Sequence, residues 1–266
     1  MIDGVRMADL TWPEFAERAK RDPVMFLPCG SFEQHGPHLP FEVDALIPAA
    51  IAEGVADRVG GLVLPTLAYG YTSMPKSGGG PYFPGTINLD GATLARLVGD
   101  IVREVHRHGL RKLCVIVGHY ENQWHVTEGL DTALRAIGDS GFKAMRLEYW
   151  DFCTPALIAE LFPDGYPGIE LEHAAVMETS LMLHLHPDKV RRDLIPDNES
   201  ADFPPYDLFP AARDWVPRTG ALTSAKTASA EKGRLLYEHY VAAIAAAVRK
   251  EFPISAETPL KSVGHN

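Results

Sequence analysis

A chain of 266 residues, of which 46% are hydrophobic and 23% charged, is long enough to bury a large core. Its formal net charge of −10, with no lysine- or arginine-rich run, argues against a general nucleic-acid-binding surface. The three cysteines, Cys29, Cys114 and Cys153, form no CxxC pair, which argues against a disulfide framework and favours a reducing compartment.

The first residues carry neither the basic region nor the apolar region of a secretory signal, and no apolar stretch is long enough to cross a bilayer. We therefore expect a cytoplasmic protein without a membrane partner and without a nucleic-acid partner. Because α/β domains of this length are often undivided, we predict a single domain over residues 1–266.

Helix-like and strand-like segments alternate along the chain. Thr11 and Glu14 have the spacing of a capping box, and Gly109 has the position of a C-terminal cap. Hydrophobic periodicity gives the remaining boundaries. In chain order, the predicted elements are a helix from Thr11 towards Arg21, a strand around Phe26, a helix over 44–59, a strand over 62–65, a helix over 90–105, a strand over 113–117, a helix over 123–137, a strand over 143–149, a helix over 174–185 and a helix over 229–250.

This alternation predicts an α/β fold with a parallel sheet between helical layers, in which ligands bind beyond the carboxyl ends of the strands. Two long irregular stretches interrupt the pattern. Residues 70–86 contain three consecutive glycines and read equally well as a flexible surface loop or as backbone that approaches a ligand. The proline-rich residues 187–223 favour a segment that wraps the surface or a subunit contact.

Two short segments carry the candidate chemistry. Glu33 and His35 follow the first apolar run, and His119 and Glu121 follow the third. In extended backbone, residues two apart project to the same side, so each segment aims one carboxylate and one imidazole into a common space. Asp44 stands where the next helix begins. A single Glu-x-His pair also occurs on hydrated loops, but two equivalent pairs and a nearby aspartate favour a pair of divalent metals, Zn or Mn, and predict a metal-dependent hydrolase.

The residues around these segments resemble the creatininase (creatinine amidohydrolase) family. Residues 27–40 with Val43 and Asp44 look like its first signature, and residues 118–122 resemble the second in the form typical of creatininase proper. Further matches follow in the family's order at residues 76–80, 149–152, 172–173, 177–183 and 224–229. The resemblance extends from about Leu10 to Pro253.

The resemblance implies a three-layer α/β/α sandwich with a mainly parallel central sheet, often assembled as a homohexamer. It also implies a binuclear centre that contains Zn, Mn or both. Carried across by position, Glu33 and His119 bind one metal, His35 and Glu121 bind the other, and Asp44 bridges them. His38 and His125 lie near these segments in sequence, but we do not expect them to bind metal.

The implied reaction opens a cyclic amide, most specifically creatinine to creatine, by attack of a hydroxide formed on the metals. His173 matches the family's acid–base histidine, and Glu178 an acidic residue near the site. The catalytic set is thus His173, Glu121 and Glu178. The positions that match the substrate pocket, or differ from it, are Ser77, Tyr120, Trp150, Ile169 and Glu170; by chain position alone, Trp150 also reads as ordinary core.

Ile169 and Glu170 stand where creatininase carries tryptophan and aspartate, which leaves the metal chemistry intact but puts the substrate in question. A first alternative is therefore a family member that acts on another small cyclic or linear amide, such as a hydantoin or a lactam. A second alternative is a non-catalytic, metal-stabilised assembly subunit. The presence of all five predicted ligands and of His173 argues against the second.

Overall fold

The computed structural model describes residues 4–253 and contains a four-stranded parallel sheet. In space the strand order is β2-β1-β3-β4. The strands are β1 (Met25–Cys29), β2 (Leu62–Val63), β3 (Lys112–Val117) and β4 (Lys143–Glu148). Strands β1 and β3 pair over the full length of β1, from Met25 opposite Leu113 to Cys29 opposite Val117. The segments that follow these two strands therefore emerge side by side at one edge of the sheet.

Helices cover both faces of this sheet. They are α1 (Trp12–Ala19), α2 (Val43–Val59), α3 (Gly91–Arg107), α4 (Asn122–Ile137), α5 (Pro155–Leu161), α6 (Val176–Leu185) and α7 (Ala230–Glu251). Alternate strand residues enter two separate cores. Phe26 and Ile116 pack with α2, α6 and α7, whereas Leu27 and Val115 pack with α3 and α4. This arrangement confirms the predicted three-layer α/β/α sandwich.

The predicted elements are present with shifts of a few residues at their ends, and one helix was missed. Helix α5 is short, and its start is marked only by Thr154, whose hydroxyl accepts a hydrogen bond from the Leu157 N–H at 3.3 Å, and by Pro155 in the first turn. The two irregular stretches contain only short 3-10 turns, such as Pro75–Ser77 and Arg213–Trp215. Within residues 4–253, no helix is long and apolar enough to cross a membrane.

Two glycines let the start of α2 approach the ends of β1 and β3 closely. A β-carbon on Gly30 would lie 2.3 Å from the Asp44 carbonyl oxygen, and one on Gly118 would lie 2.2 Å from the same atom. Real side chains do not fit at such distances from backbone, so these positions require glycine. The first turn of α2 therefore lies against both strand ends, and it brings the Asp44 side chain to the place where the two Glu-x-His segments emerge.

Candidate metal centre and active site

The five predicted metal ligands converge at the carboxyl edge of the sheet. Glu33 and His35 follow β1, His119 and Glu121 follow β3, and Asp44 lies in the first turn of α2. All five residues are buried, with at most 4% of any of them exposed. The structure thus brings together side chains that are separated by up to 88 positions in sequence, as the two strand-end segments predicted.

The donor atoms form two groups, in each of which they lie within 4.8 Å of one another. The first contains Glu33, Asp44 and His119, with His119 Nδ1 at 3.1 Å from Glu33 Oε2 and 3.2 Å from Asp44 Oδ2. The second contains His35, His173 and Glu178. Because Asp44 Oδ1 is also 2.9 Å from His35 Nε2, the Asp44 carboxylate contacts both groups, one oxygen towards each.

Glu121 lies outside both groups of donor atoms. Its Oε1 accepts hydrogen bonds from the Met74 N–H at 2.9 Å and from the Ser77 hydroxyl, while its Oε2 is 3.3 Å from His119 Nε2. The predicted pairing of His35 with Glu121 on one metal therefore stays a prediction. The nearer carboxylate to His35, besides Asp44, is Glu178, whose Oε2 lies 3.8 Å from His35 Nε2.

Backbone carbonyls orient both buried imidazoles. The Nδ1–H of His35 donates to the Glu33 carbonyl at 3.1 Å, and the Nε2–H of His119 donates to the Tyr71 carbonyl at 2.9 Å. In the neutral rings these bonds make His35 Nε2 and His119 Nδ1 the nitrogens that carry the lone pair, and those are the atoms that face the carboxylates. A second nitrogen anchored in this way is the usual arrangement of a metal-binding histidine.

The donor set fits two divalent metal ions. Four of the candidate ligand atoms, Glu33 Oε2, His35 Nε2, Asp44 Oδ2 and Glu121 Oε2, have no hydrogen-bond partner within residues 4–253, although each is buried. Buried polar atoms are normally hydrogen-bonded, and several buried carboxylates in one place require nearby positive charge. Carboxylate oxygens and neutral imidazoles are the donors that Zn and Mn accept.

Without a cation, these carboxylates and imidazoles stabilise one another's charge. Burial opposes protonation of His35, but the negative charges of Asp44 and Glu178 outweigh it and raise the pKa of His35 to about 10. Burial likewise raises the pKa of Glu178, because a carboxylate loses its hydration there. Metal binding would replace these protons, since ligands bind metal in their deprotonated form.

Gln34, between the two ligands of the first segment, fixes the loops around His173. Its side-chain amide donates to the Gly78 carbonyl at 2.9 Å and to the Gly220 carbonyl at 3.0 Å, which uses both amide hydrogens. His173 Nε2 lies 3.0 Å from the Gln34 backbone carbonyl and 3.0 Å from the Gln34 side-chain nitrogen. Because both amide hydrogens already go to carbonyls, we assign the proton of the neutral ring to Nε2, which donates it to the Gln34 carbonyl, and the lone pair to Nδ1. The role of Gln34 was not predicted.

A tight turn connects His173 to Glu178. Ala174 adopts a left-handed conformation with φ of 54°, which is uncommon for a residue with a side chain. Its N–H donates to Glu178 Oε2 at 2.6 Å, and the His173 ring lies against the His35 ring at an interplanar angle of 36°, with centroids 4.3 Å apart. The strained turn thus holds His173 and Glu178 beside the predicted ligands.

Replacing Glu172 by glutamine should stabilise the fold progressively as pH rises. Burial raises the pKa of the Glu172 carboxyl from 4.5 to about 8, so the folded state binds this proton more tightly than the unfolded chain does. The resulting stability is fully present below about pH 4.5 and is lost as pH rises through 8. The gap in melting temperature between Glu172→Gln and the wild type, both saturated with metal, should be smallest at pH 5 and largest at pH 9.

The control for this experiment is Glu128→Gln, because Glu128 is exposed on α4. Its melting temperature should follow that of the wild type at every pH. A gap for Glu172→Gln that is constant or that narrows above pH 7 would mean that Glu172 is ionised in the folded protein at neutral pH.

The predicted catalytic and substrate positions surround one cavity of about 510 Å³, within the usual size of small-molecule sites. Its lining includes all the predicted substrate positions and catalytic residues: Ser77, Tyr120, Glu121, Trp150, Ile169, Glu170, His173 and Glu178. Trp150 also packs against both hydrophobic cores. It therefore lines the cavity, as predicted for a substrate position, and also contacts the core, as predicted from its chain position. Lys76, Trp124, Asp151 and Asp207 also line the cavity, and the sequence offered no reason to assign them to it.

His38 and His125 have other partners, in line with the expectation that they do not bind metal. His38 is buried and its Nε2 lies 2.7 Å from the Thr179 hydroxyl. Burial and the nearby His35 lower its pKa to about 4, which keeps the ring neutral. His125 packs against Tyr71, with ring centroids 4.2 Å apart.

Comparison with known proteins decides the family. The model of the creatininase family, described as creatinine amidohydrolase, matches residues 8–248. The chain belongs to the creatininase family.

Two curated relatives illustrate the range of similarity. The creatinine amidohydrolase of Pseudomonas putida is 51% identical, over 95% of this chain and 99% of the relative. A mycofactocin precursor peptide peptidase of Mycobacterium tuberculosis is 33% identical over 81% of this chain and 80% of its own.

Solved structures of creatininases share the fold of this chain. A creatininase with Mn superposes with a TM-score of 0.91 at 51% identity, covering 94% of this chain and 99% of the other. A glutamate-to-glutamine creatininase variant complexed with creatine gives 0.91 at 50% identity, with the same coverage. A glutamate-to-glutamine creatininase variant of the Zn-Zn type superposes with a TM-score of 0.92 at 50% identity, covering 94% of this chain and 99% of the other.

Proposed function

We propose that this chain is a metal-dependent amidohydrolase that opens the ring of creatinine to give creatine. The observation that carries the proposal is the Asp44 carboxylate, which reaches a buried imidazole from each of the two strand-end segments. The close relative in Pseudomonas putida is a creatinine amidohydrolase, and a solved creatininase binds creatine. A purely structural, metal-stabilised subunit would not need a 510 Å³ cavity beside this donor set.

Two divalent ions, Zn, Mn or both, complete the proposed site. Glu33, His119 and Asp44 would hold one ion; Asp44 and His35 would hold the other, with Glu121 as the predicted further ligand. Bound there, the ions supply Lewis-acid polarisation of the amide carbonyl and lower the pKa of water towards about 7. The Mn and Zn-Zn forms of solved creatininases support this choice of metals.

In the proposed reaction, His173 moves the proton. Because its Nε2–H is donated to the Gln34 carbonyl, Nδ1 is the atom free to accept a proton from the attacking water. The same proton then goes to the ring nitrogen as its bond to the carbonyl carbon breaks, so that water is consumed and one open-chain product forms. Gln34 and the Ala174 turn hold the imidazole in position for both transfers.

Domain organisation, location and partners complete the proposal. We propose a single domain over residues 1–266, a cytoplasmic location, and a homo-oligomer, with the hexamer implied by the family resemblance. The net charge of −10 and the small cavity support a small-molecule partner in preference to a nucleic acid or a membrane. The mass of the metal-loaded protein in solution tests the oligomeric state.

The experiment that tests the function is creatinine hydrolysis by purified protein, with Mn or Zn supplied and with a chelated control. We expect conversion to creatine at an enzyme-like rate that chelation abolishes and that added metal restores. If the folded, metal-loaded protein leaves creatinine intact, hydantoins, lactams and linear amides are the next substrates to assay, and Ile169 and Glu170 are the positions responsible. Absence of turnover on all of them would favour the assembly subunit.

A further inference from the structure

We propose that Trp124 is the aromatic face on which this enzyme stacks the planar group of its substrate, and that it thereby sets substrate affinity. The proposal deepens the proposed function and rests on it. Trp124 lies in the first turn of α4, directly after the second metal-ligand segment, and it lines the cavity that contains His173. Nothing in the sequence analysis assigned it a role.

Trp124 has no part in the core. Helix α4 buries another set of positions: Asn122, Val126, Gly129, Leu130 and Ala133. The Trp124 side chain remains 53% exposed, which is costly for the largest apolar side chain unless something covers it. Its contact with Tyr120 is edge-to-face, with ring centroids 5.6 Å apart and an interplanar angle of 88°. This contact holds the indole against one neighbour and leaves much of its surface open.

The other aromatic rings of the cavity are already in use. Tyr149 is only 4% exposed and packs edge-to-face against both Trp150 and Tyr240, at 5.0 and 5.5 Å between centroids. Trp150 is half-buried and packs against both cores. Of the described residues that line the cavity, Trp124 and its neighbour Tyr120 therefore carry the exposed aromatic surface.

The chemistry of the ligand matches such a surface. Creatinine contains a conjugated, flat ring, and creatine contains a planar guanidinium group that carries positive charge. A planar cation is attracted to the face of an aromatic ring, and the indole of tryptophan is the best such partner. The exposed carboxylates of Asp151 and Glu170 also line the cavity and favour a cation there, whereas Lys76 is paired with Asp207 at 3.1 Å.

The test compares three variants of the full-length, metal-loaded enzyme. Trp124→Ala should raise the KM for creatinine about tenfold with kcat within about twofold, because stacking binds substrate and transition state alike. Trp124→Phe should stay close to the wild type, because it keeps an aromatic face. Trp12→Ala is the matched control, since Trp12 is 82% exposed on α1, outside the cavity lining, and its loss should leave KM unchanged.

Tryptophan fluorescence gives a readout that does not need turnover. Trp150 also lines the cavity, so the titration uses Trp150→Phe, in which Trp124 is the tryptophan that remains in the cavity lining. Creatine should quench the fluorescence of Trp150→Phe, and the quench should be largely absent when Trp124→Phe is added to it. A quench that survives in this double variant, or a KM that does not change in Trp124→Ala, overturns the proposal. A change in native mass with an unchanged KM also overturns it and assigns Trp124 to a subunit contact.

These readouts also separate the inference from the proposed function. A wild type that hydrolyses creatinine with a KM insensitive to Trp124 refutes only the inference. A wild type without creatinine turnover, together with a quench of Trp150→Phe by creatine that depends on Trp124, refutes the reaction and retains the stacking surface. The absence of both turnover and quench refutes both.

Discussion

Asp44→Asn is expected to lower kcat/KM for creatinine by at least about a thousandfold. One Asp44 oxygen is 2.9 Å from His35 Nε2 and the other is 3.2 Å from His119 Nδ1, so this carboxylate connects the two donor groups. An asparagine has the same shape but offers one neutral oxygen and an N–H₂ group that repels a cation. Loss of a single group that stabilises the developing charge already costs about 10²–10³ in kcat, and here the affinity for metal falls as well.

The measurement for Asp44→Asn pairs steady-state kinetics with metal content after gel filtration. We expect about two equivalents of metal per subunit in the wild type and one or fewer in the variant. The matched control is Glu148→Gln, because Glu148 is a buried carboxylate at the end of β4 that pairs with Arg146 at 3.2 Å and belongs to neither donor group. It should keep both metal and activity. Full metal content and activity in Asp44→Asn would remove Asp44 from the centre.

Both halves of the ligand set could be predicted from sequence because they depend on strand geometry. An apolar run that ends in Glu-x-His fixes the direction of two side chains, and parallel pairing of β1 with β3 places the two ends together. Asp44 could be placed near them because it stands where the next helix begins. The three-layer fold followed from the alternation of strand-like and helix-like segments, whereas the short helix α5 was missed.

The contacts that hold His173 beside His35 could not be predicted, because they join segments that are distant in sequence. Gln34 helps to hold His173 beside His35, and its amide donates to Gly78 and Gly220, which follow it by 44 and 186 positions in the sequence. Such a contact has no local pattern. The pairing of His35 with Glu121 on one metal stays a prediction; in the structure Glu178 Oε2 lies 3.8 Å from His35 Nε2, and Glu121 Oε1 accepts hydrogen bonds from Ser77 and Met74.

Trp124 was missed for a different reason. Its position in the first turn of a predicted helix is visible in the sequence, and it follows Tyr120 by four residues, which is the spacing of neighbours on a helix. Periodicity alone does not tell an exposed aromatic residue from one at the edge of the core. The burial of the other α4 positions and the cavity beside Trp124 make that distinction, and both require the assembled fold.

His173→Ala should lower kcat by about 10²–10⁴, the usual contribution of a positioned acid–base group, with little change in KM. The alanine variant should keep both metals, because the role proposed for His173 is proton transfer. Retention of both metals distinguishes this role from metal binding. The geometry alone would also allow His173 to bind metal, because its donor atom lies within 4.8 Å of those of His35 and Glu178. Metal content therefore has to be measured with kcat on the same sample.

Added imidazole gives a second measurement of the proton-transfer role of His173. The alanine substitution leaves a space beside His35, and a free imidazole that enters it should restore part of kcat in proportion to the concentration of its neutral form. His186→Ala is the control, because His186 follows α6 and lines no part of the cavity; it should show neither the loss nor the rescue. If His173→Ala loses a metal equivalent and imidazole restores metal content together with activity, His173 is a ligand, and the proton must move through another group, with Glu178 the nearest carboxyl to His35 after Asp44.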